Sequence, residues 1–375
     1  MRRAFAQLSS ILPAYLAGSS ATPTTTPSPS ANSPRLRSPM SSSTTASSAD
    51  GATVNDTPEE WRAQLEALPS LEELGGSVPA VFLAHGQPML IMSPQLAAQR
   101  GGQFGALATI QGPDGLLVQF LRDLGPHLLT KYRPKALVIL SAHWETAGGG
   151  VTTDYGGENP LLYDYFGFDQ ALYEVEFKSR GDRQVAERVV ELLQAAGIKS
   201  SRLTNKLEPR GEDGRGFQGP GLDHGVFVPL IHMFKGEAPI PVVQVSIPSD
   251  LRPETQHTLG ASLAPLRSEG VLVVAGGLSI HTFRDFSAFS PDTAKPQYRA
   301  WEKSIVDAVA VAEPDARHRA LFDLVQHPSF RAAHPREEHF VPLYVAQGAG
   351  SEGGEAKGAR MVCGLWGAKT IVFGV

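Results

Sequence analysis

Short apolar runs recur along the chain, separated by segments long enough to hold a helix. A continuous apolar run without polar alternation is typical of a strand buried on both faces. Such runs predict strands over 80–84, 136–140, 151–153, 240–247, 271–275 and 370–373. Apolar residues at helical spacing predict helices over 58–67, 115–130, 183–196, 226–234, 253–267, 298–311, 317–325 and 341–345. Since strands alternate with helices, we expect one α/β domain whose mostly parallel or mixed sheet carries helices on both faces.

The first 77 residues differ in composition from the rest. Met1 to Ser48 is crowded with Ser, Thr, Pro and Ala and contains no acidic residue. Such a segment buries too little apolar surface to offset the entropy lost on ordering. We therefore expect 1–77 to be a disordered extension and 78–375 to be the folded domain. An acid-poor segment with arginines and serines fits an organelle transit peptide as well as an untargeted tail, so a mitochondrial and a cytoplasmic location are both open.

The amino-acid composition argues against several classes of partner and site. The 375 residues are 42% hydrophobic, enough for a large core, and the formal net charge of -5 gives no reason to expect nucleic acid as a partner. No apolar run approaches the roughly 20 residues needed to cross a bilayer. The single cysteine, Cys363, excludes internal disulfides and multi-cysteine zinc sites, and we expect it to be a small buried residue of a terminal strand.

Histidines follow three of the predicted strands. His85 and His143 come directly after or within a few residues of 80–84 and 136–140, and His281 comes shortly after 271–275. The carboxyl ends of parallel strands meet at one edge of a sheet, where α/β proteins keep their ligand sites. His224 lies at a turn before an apolar segment, and His339 follows two glutamates. Each alone is most simply a hydrogen-bonded polar residue, but together they predict a metal site, because neutral imidazole is the commonest side-chain metal ligand.

The remaining histidines carry no such signal. His334 lies near His339 and is intermediate between a site residue and a structural one. We assign structural roles to the remaining five, His127, His232, His257, His318 and His327. Motifs of other enzyme classes are missing or misplaced. There is no helical His-Glu-x-x-His zinc motif, no Gly-x-Ser-x-Gly elbow and no phosphate-binding loop, and no strand precedes the glycine pattern 214–219.

Five ordered motifs resemble the class III extradiol ring-cleavage dioxygenases. They are Phe-Leu-Ala-His85-Gly-Gln-Pro, Leu-Ser-Ala-His143-Trp-Glu, Leu-Asp-His224-Gly, Ala-Gly-Gly-Leu-Ser-Ile-His281 and Glu-Glu-His339-Phe-Val-Pro-Leu. The resemblance covers about 78–375 and is strongest to the 4,5-DOPA dioxygenase extradiol-like branch, which the aromatic segment Tyr163–Phe168 and the run Ile247–Leu251 also resemble. It implies one divalent metal ion per chain, with iron(II) expected for activity and zinc as an alternative occupant.

The resemblance also implies roles for single residues. His85 and His143 are implied to be metal ligands, and His339 is implied to be the ligand near the C-terminus, with Glu338 as its rival. His281 matches a histidine that is either a ligand or the nearby acid/base, so it is both a metal-ligand and a catalytic candidate.

His224 is implied to be a catalytic residue that contacts the substrate. Trp144, Tyr163, Tyr165 and Phe166 are expected either to line an aromatic pocket or to pack in the core. The sequence departs from the family at Gln87, where serine or alanine is commoner, and in a long loop at 207–221. Both departures bear on substrate choice.

The implied reaction is oxygen-dependent cleavage of a catechol, DOPA-like or caffeate-like, to a muconic semialdehyde. The expected partners are that small molecule and O2, with no nucleic acid and no membrane. Two other hypotheses stay open at this point: a zinc hydrolase that uses bound hydroxide, and a non-catalytic binding protein on the same scaffold.

Overall fold

The sheet consists of eight strands, of which four form a parallel centre. The computed structural model describes residues 55–99, 105–204, 217, 219–351 and 357–375. The strands are β1 Ala80–Ala84, β2 Ala136–Thr146, β3 Val151–Thr152, β4 Arg202–Leu203, β5 Val242–Pro248, β6 Val271–Gly277, β7 Ala359–Cys363 and β8 Thr370–Phe373. Their order across the sheet is β4-β3-β5-β2-β6-β1-β8-β7.

The parallel centre confirms the predicted α/β class. β2 pairs in parallel with β5 and β6, and β6 pairs in parallel with β1, whereas β8 joins β1 antiparallel and makes the sheet mixed. Every residue of the four central strands is buried, so both faces of the sheet are covered, as continuous apolar strands require. β1, β6 and β2 are neighbours, and their carboxyl ends lie together.

Helices fill the connections, and most agree with the predicted ranges. They are α1 Pro58–Glu66, α2 Pro94–Gln99, α3 Gly105–Gln111, α4 Leu116–Tyr132, α5 Arg183–Ala195, α6 His224–Phe234, α7 Pro253–Leu263, α8 Pro265–Ser268, α9 Pro296–Ala310, α10 Pro314–Asp323, α11 Phe330–Ala333 and α12 Pro342–Ala349. Short 3₁₀ turns occupy 88–91, 170–173, 286–289 and 324–326. The helix predicted over 253–267 is broken into α7 and α8 because Pro265 has no N–H to continue the ladder.

The folded unit includes residues before the predicted boundary at Val78. Thr57 and Glu60 form a capping box that starts α1, and the helix buries Trp61 and Leu65 in the core. The indole Nε1 of Trp61 donates to Asp123 at 2.9 Å. The predictions for residues 1–54 and for most of the loop at 207–221 lie outside the described residues. Within the described part of the chain, no helix combines the length and apolar character needed to span a membrane.

The prediction that β2 ends before His143 is wrong. β2 continues to Thr146, so His143 lies inside the strand rather than just past its end. After Leu140 the pairing with β5 shifts register and resumes at Glu145 opposite Ile247. Such an irregularity changes the direction of the side chains along a strand, and the polar residues Ser141, His143 and Glu145 lie in or directly after it. The sequence patterns also missed α2, α3 and the two-residue β4.

Candidate active site

Five histidines converge at the carboxyl ends of β1, β2 and β6. His85 directly follows β1, and its backbone N–H donates to the Gly277 carbonyl at the end of β6. The backbone carbonyl of His339 accepts from the N–H of Leu278, which fixes the C-terminal segment against the same strand end. The imidazoles of His85, His143 and His339 offer ligand nitrogens within 4.8 Å of one another, and all three residues are buried.

The ring orientations of His85 and His339 leave their Nε2 atoms facing the cluster. The Nδ1 of His85 lies 2.7 Å from the Gly86 carbonyl, and the Nδ1 of His339 lies 3.2 Å from Glu338 Oε1. Both Nδ1 atoms have only acceptors opposite them, so each carries the proton and Nε2 carries the lone pair. The Nε2 of His85 is buried and has no hydrogen-bond partner. The Nε2 atoms of His143 and His339 are 2.9 Å apart.

His143 faces two buried aspartates with its other nitrogen. Its Nδ1 lies 3.5 Å from Asp164 Oδ2 and 3.7 Å from Asp223 Oδ1. Asp223 accepts from the Ser141 hydroxyl at 2.8 Å and from the Gln244 amide at 2.6 Å. A carboxylate behind a histidine fixes the ring and its tautomer in metal sites of this kind.

Glu338 serves two stacked imidazoles. The rings of His281 and His339 are stacked with centroids 3.5 Å apart, and the Nδ1 of His281 lies 3.6 Å from the same Glu338 oxygen that faces His339. His281 therefore lies beside the group of His85, His143 and His339 rather than within it. Glu338 lies on the Nδ1 side of both rings, which favours an orienting role over the ligand role in which it rivals His339.

His224 begins α6 and is held from behind by Asp164. Its Nδ1 is 2.7 Å from Asp164 Oδ1, and its backbone N–H donates to the same oxygen at 2.8 Å. The ring lies against His143 with centroids 4.0 Å apart, and it makes a T-shaped contact with Tyr165 with centroids 5.6 Å apart. The prediction that His224 belongs to the same site therefore agrees with the geometry.

An ion pair supports the other side of the cluster. Arg336 donates through both terminal nitrogens to the two carboxylate oxygens of Glu145, which lies two residues after His143 in β2. The guanidinium also lies 3.5 Å from Glu338. A bidentate arginine–carboxylate pair has a fixed geometry, so it ties the 336–339 segment to the central strand.

Two glycines are required by close approaches at the site. A Cβ at Gly225 would lie 2.6 Å from the Ser141 hydroxyl and 3.0 Å from His143 Nδ1. A Cβ at Gly277 would lie 2.4 Å from the His339 carbonyl. Neither position has room for a side chain, so the glycines of Asp-His-Gly and Ala-Gly-Gly have a packing reason beyond turn formation.

Burial favours the neutral form of His85 and His339. Desolvation lowers the pKa of His85 and of His339 well below the ordinary imidazole value, and repulsion from neighbouring imidazoles acts in the same direction. Burial by itself raises the pKa of Glu338, but hydrogen bonds from His281 and His339 outweigh it and hold that pKa below its usual range. Neutral imidazoles with lone pairs directed at one another are the state in which histidine binds a metal.

The residues present fit a divalent metal ion. Three Nε2 atoms in one buried group are compatible with metal–nitrogen bonds of about 2.0–2.1 Å, and nitrogen ligands suit iron(II), zinc or copper. The Nδ1 contacts of His85 and His339, and the nearby carboxylates of Asp164 and Asp223 at His143, supply the outer contacts that such ligands require. Asp164 and Asp223 were missed as site residues by the sequence patterns. The signal available was an acidic residue inside an otherwise apolar or aromatic segment, since a buried carboxylate needs a partner.

The remaining predicted residues lie around this centre. Trp144 is buried, and Tyr163 donates its hydroxyl to the Val175 carbonyl, contacts typical of packing. Phe166 is 38% exposed and stacks on Phe217. His334 is buried among aromatic rings with Nε2 2.8 Å from the Ser279 carbonyl, and burial lowers its pKa to about 3.

Comparisons with known proteins agree with this geometry. Residues 79–374 match the family model described as the catalytic LigB subunit of aromatic ring-opening dioxygenase. A 4,5-DOPA dioxygenase extradiol-like protein of Schizosaccharomyces pombe is 39% identical over 316 residues, which cover 84% of this chain and 97% of that protein. The 4,5-DOPA dioxygenase extradiol of Beta vulgaris is 30% identical over 276 residues, 74% of this chain and 88% of that protein.

A solved structure shares the fold. The crystal structure of an uncharacterized protein from Escherichia coli K12 superposes with a TM-score of 0.54 at 25% identity and covers 79% of this chain and 99% of that one. The matched family range contains all five histidines of the cluster as well as both aspartates.

Proposed function

We propose the reaction of this chain from the premise that it belongs to the family of the catalytic LigB subunit of aromatic ring-opening dioxygenases. As a member it is an extradiol ring-opening enzyme, and membership argues against the hypothesis of a non-catalytic binding protein. We infer that it cleaves the ring of a catechol with a DOPA-like or caffeate-like side chain. Both atoms of O2 enter the product, a muconic semialdehyde.

We infer that one divalent metal is held by His85, His143 and His339. The observation that carries this proposal is the convergence of three buried imidazoles, each with its Nδ1 turned to an acceptor. Iron(II), when bound, would supply the electron transfer between catecholate and dioxygen, which zinc cannot supply because it has no redox chemistry. Zinc remains a possible occupant of the same nitrogens.

His224 and His281 are placed to handle protons in this reaction. A catechol must lose protons to bind as the catecholate, and a histidine can accept a proton near neutral pH and return it later. Each of the two rings has its Nδ1 directed at a carboxylate, Asp164 or Glu338, so Nε2 is the atom left for the substrate. We assign His224 to contact with the substrate hydroxyls and His281 to proton transfer beside the stacked His339.

The surrounding residues keep water from the reacting groups. His85, His143 and His339 are each at most 5% exposed, and Tyr165 and Trp144 are buried next to them in sequence or space. A dry site strengthens electrostatic interactions between the chain and a catecholate. The side chain of His281, at 19% exposed, marks the part of the cluster that solvent reaches most easily.

The proposal is tested by metal reconstitution of the full chain. Metal-free protein loaded with iron(II) and given DOPA or caffeate in air should form a yellow ring-opened product with one O2 consumed per catechol. Both oxygen atoms of labelled O2 should appear in the product. Turnover without oxygen, or full activity with zinc alone, would favour the zinc hydrolase instead.

A matched pair of variants tests the ligand set. His143→Ala should abolish product formation and metal retention together. His127→Ala removes a partly buried imidazole near Glu66, outside the cluster, and should retain both. Retained activity in His143→Ala would refute the ligand assignment.

A further inference from the structure

We propose that Asp164 is a positioning residue for the reaction, acting through His224. The carboxylate fixes the orientation and the tautomer of that imidazole, so that Nε2 presents a lone pair to the substrate. The inference rests on the proposed function, because it gives His224 contact with the catechol hydroxyls. None of the five histidine motifs contains Asp164, which lies between two tyrosines in the aromatic segment Tyr163–Phe168.

One carboxylate oxygen holds both the ring and the backbone of His224. Asp164 Oδ1 lies 2.7 Å from His224 Nδ1 and accepts the His224 backbone N–H at 2.8 Å. The Asp164 side chain is 0% exposed, so bulk solvent does not reach these contacts. A buried carboxylate opposite Nδ1 requires the proton there, and the tautomer follows from that requirement.

The loop that carries Asp164 is fixed by its neighbours. The Tyr163 hydroxyl donates to the Val175 carbonyl at 2.7 Å, and the Tyr165 hydroxyl donates to the Leu172 carbonyl at 2.5 Å. These two bonds fasten the residue on each side of Asp164 to the same following segment. A functional side chain needs such support if it is to hold another group to a fraction of an ångström.

The two aspartates behind the cluster, Asp164 and Asp223, have different nearest histidines. Asp164 is 2.7 Å from His224 and 3.5 Å from His143, so its shorter contact is to the substrate-side imidazole. Asp223 is 3.7 Å from His143 and is held by Ser141 and Gln244. Loss of Asp164 is therefore expected to affect turnover more than metal retention.

The first test compares Asp164→Ala with Asp164→Asn in the iron-loaded full chain. Asp164→Ala should lower kcat per bound metal about 10–100-fold while KM changes less than about threefold, since outer-shell partners typically contribute that much. Asp164→Asn keeps an oxygen that can accept both N–H groups of His224, while its amide nitrogen replaces the oxygen 3.5 Å from His143 Nδ1. It should therefore recover most of the lost kcat when activity is expressed per bound metal. Asp182→Ala, which removes a capping aspartate of α5 outside the site, is the matched control and should leave kcat per metal unchanged.

A double-mutant cycle separates positioning from a general structural effect. In a His224→Ala background, Asp164→Ala should lower kcat by less than about twofold, because the residue through which it acts is gone. An equal fold loss in both backgrounds would overturn the proposal. So would a change confined to KM, or a loss that disappears when activity is expressed per bound metal.

A measurement without turnover covers the case in which Asp164→Ala is poorly folded. In the zinc-loaded protein, ¹⁵N shifts of the His224 ring should show a protonated Nδ1 in the wild type and in Asp164→Asn. A protonated Nε2 in the wild type would overturn the inference. If His224→Ala keeps the wild-type kcat, the role proposed for His224 in catalysis is wrong. If the wild type cleaves no catechol, the proposed reaction is wrong. In both cases the ¹⁵N measurement still decides whether Asp164 sets the tautomer of His224.

Discussion

The histidine cluster is supported from two sides that differ in construction. On the aspartate flank, Asp164 and Asp223 are fully buried and take hydrogen bonds from a hydroxyl, an amide and a backbone N–H. On the glutamate flank, the Glu338 side chain is 15% exposed and lies beside Arg336, which pairs with Glu145.

The two flanks differ in how firmly they hold the histidines and in how close they lie to solvent. The aspartate flank holds His143 and His224 in the dry interior, where a carboxylate keeps one geometry because each oxygen has a fixed partner. The glutamate flank holds the buried His339 and the more exposed His281, and the charged Arg336 lies beside its carboxylate. Each flank therefore holds one proposed metal ligand, His143 or His339, and solvent reaches the cluster most easily at His281 and Glu338 of the glutamate flank.

The largest expected effect is the difference between alanine variants of the two stacked histidines on the glutamate flank, His339 and His281. His339→Ala should lose the metal and all detectable turnover, since one of three proposed ligands is removed. His281→Ala should keep the metal and lower kcat about 100-fold, within the range of a lost acid/base group. Metal analysis of both purified variants, with kcat for each, checks this. Metal loss in His281→Ala with retention in His339→Ala would reverse the ligand assignment.

The next effect compares one carboxylate from each flank. Asp223→Asn should weaken metal binding about 10–100-fold, because either orientation of the new amide turns an N–H toward Gln244 or toward Ser141 and His143. Glu338→Gln should cost less, since the amide oxygen can still accept from the Nδ1 of His339. Metal titration of both variants gives the ratio. A larger loss in Glu338→Gln would show that the exposed flank controls metal affinity.

A smaller effect is expected where α6 meets the cluster. Gly225→Ala should lower activity about tenfold and the free energy of unfolding by about 1–3 kcal/mol, the usual cost of forcing a methyl group into a packed site. The added Cβ would displace His143 or Ser141. Chemical denaturation and kcat per bound metal measure the two parts. Gly181→Ala, at a position without positive φ where a Cβ would make only ordinary van der Waals contacts, is the control for an added methyl group without a clash and should keep its activity.

The smallest effect concerns the ion pair of the glutamate flank. Arg336→Met should lower the free energy of unfolding by about 2 kcal/mol, because it leaves the buried Glu145 without its bidentate partner. Arg331→Met removes an exposed arginine that pairs with Glu337 and should cost less than about 1 kcal/mol. Urea unfolding of the two variants checks the difference. Equal costs would mean that the Glu145 pair gives no more stability than a surface pair.

The strands and the convergence of histidines were predictable because their signals are local. Continuous apolar runs located β1, β5, β6 and β8 within about two residues, and parallel neighbours explain why His85, His143 and His281 meet. The five motifs then indicated the family, which the family model confirms over residues 79–374.

The parts that could not be predicted depend on contacts distant in the chain. The role of Asp164 depends on its contact with His224, which lies sixty residues later, and the role of Glu145 depends on its ion pair with Arg336. β2 was cut short because its apolar run ends at Leu140, although Ser141, His143 and Glu145 alternate with Ala142 and Trp144 at the period of a strand. α2 and α3 have only six and seven residues, which is too short for a repeated helical spacing of apolar residues to be recognised in the sequence.

The extended β2 strand contacts both flanks at once. Ser141 bonds Asp223 on one side, Glu145 bonds Arg336 on the other, and His143 lies between them. A slip of one residue along this strand would exchange all three polar side chains for Ala142, Trp144 and Leu140. Correct pairing of β2 in the middle of the sheet is thus a condition for assembly of the histidine cluster, and we expect a chain with this strand out of register to lack the activity proposed above.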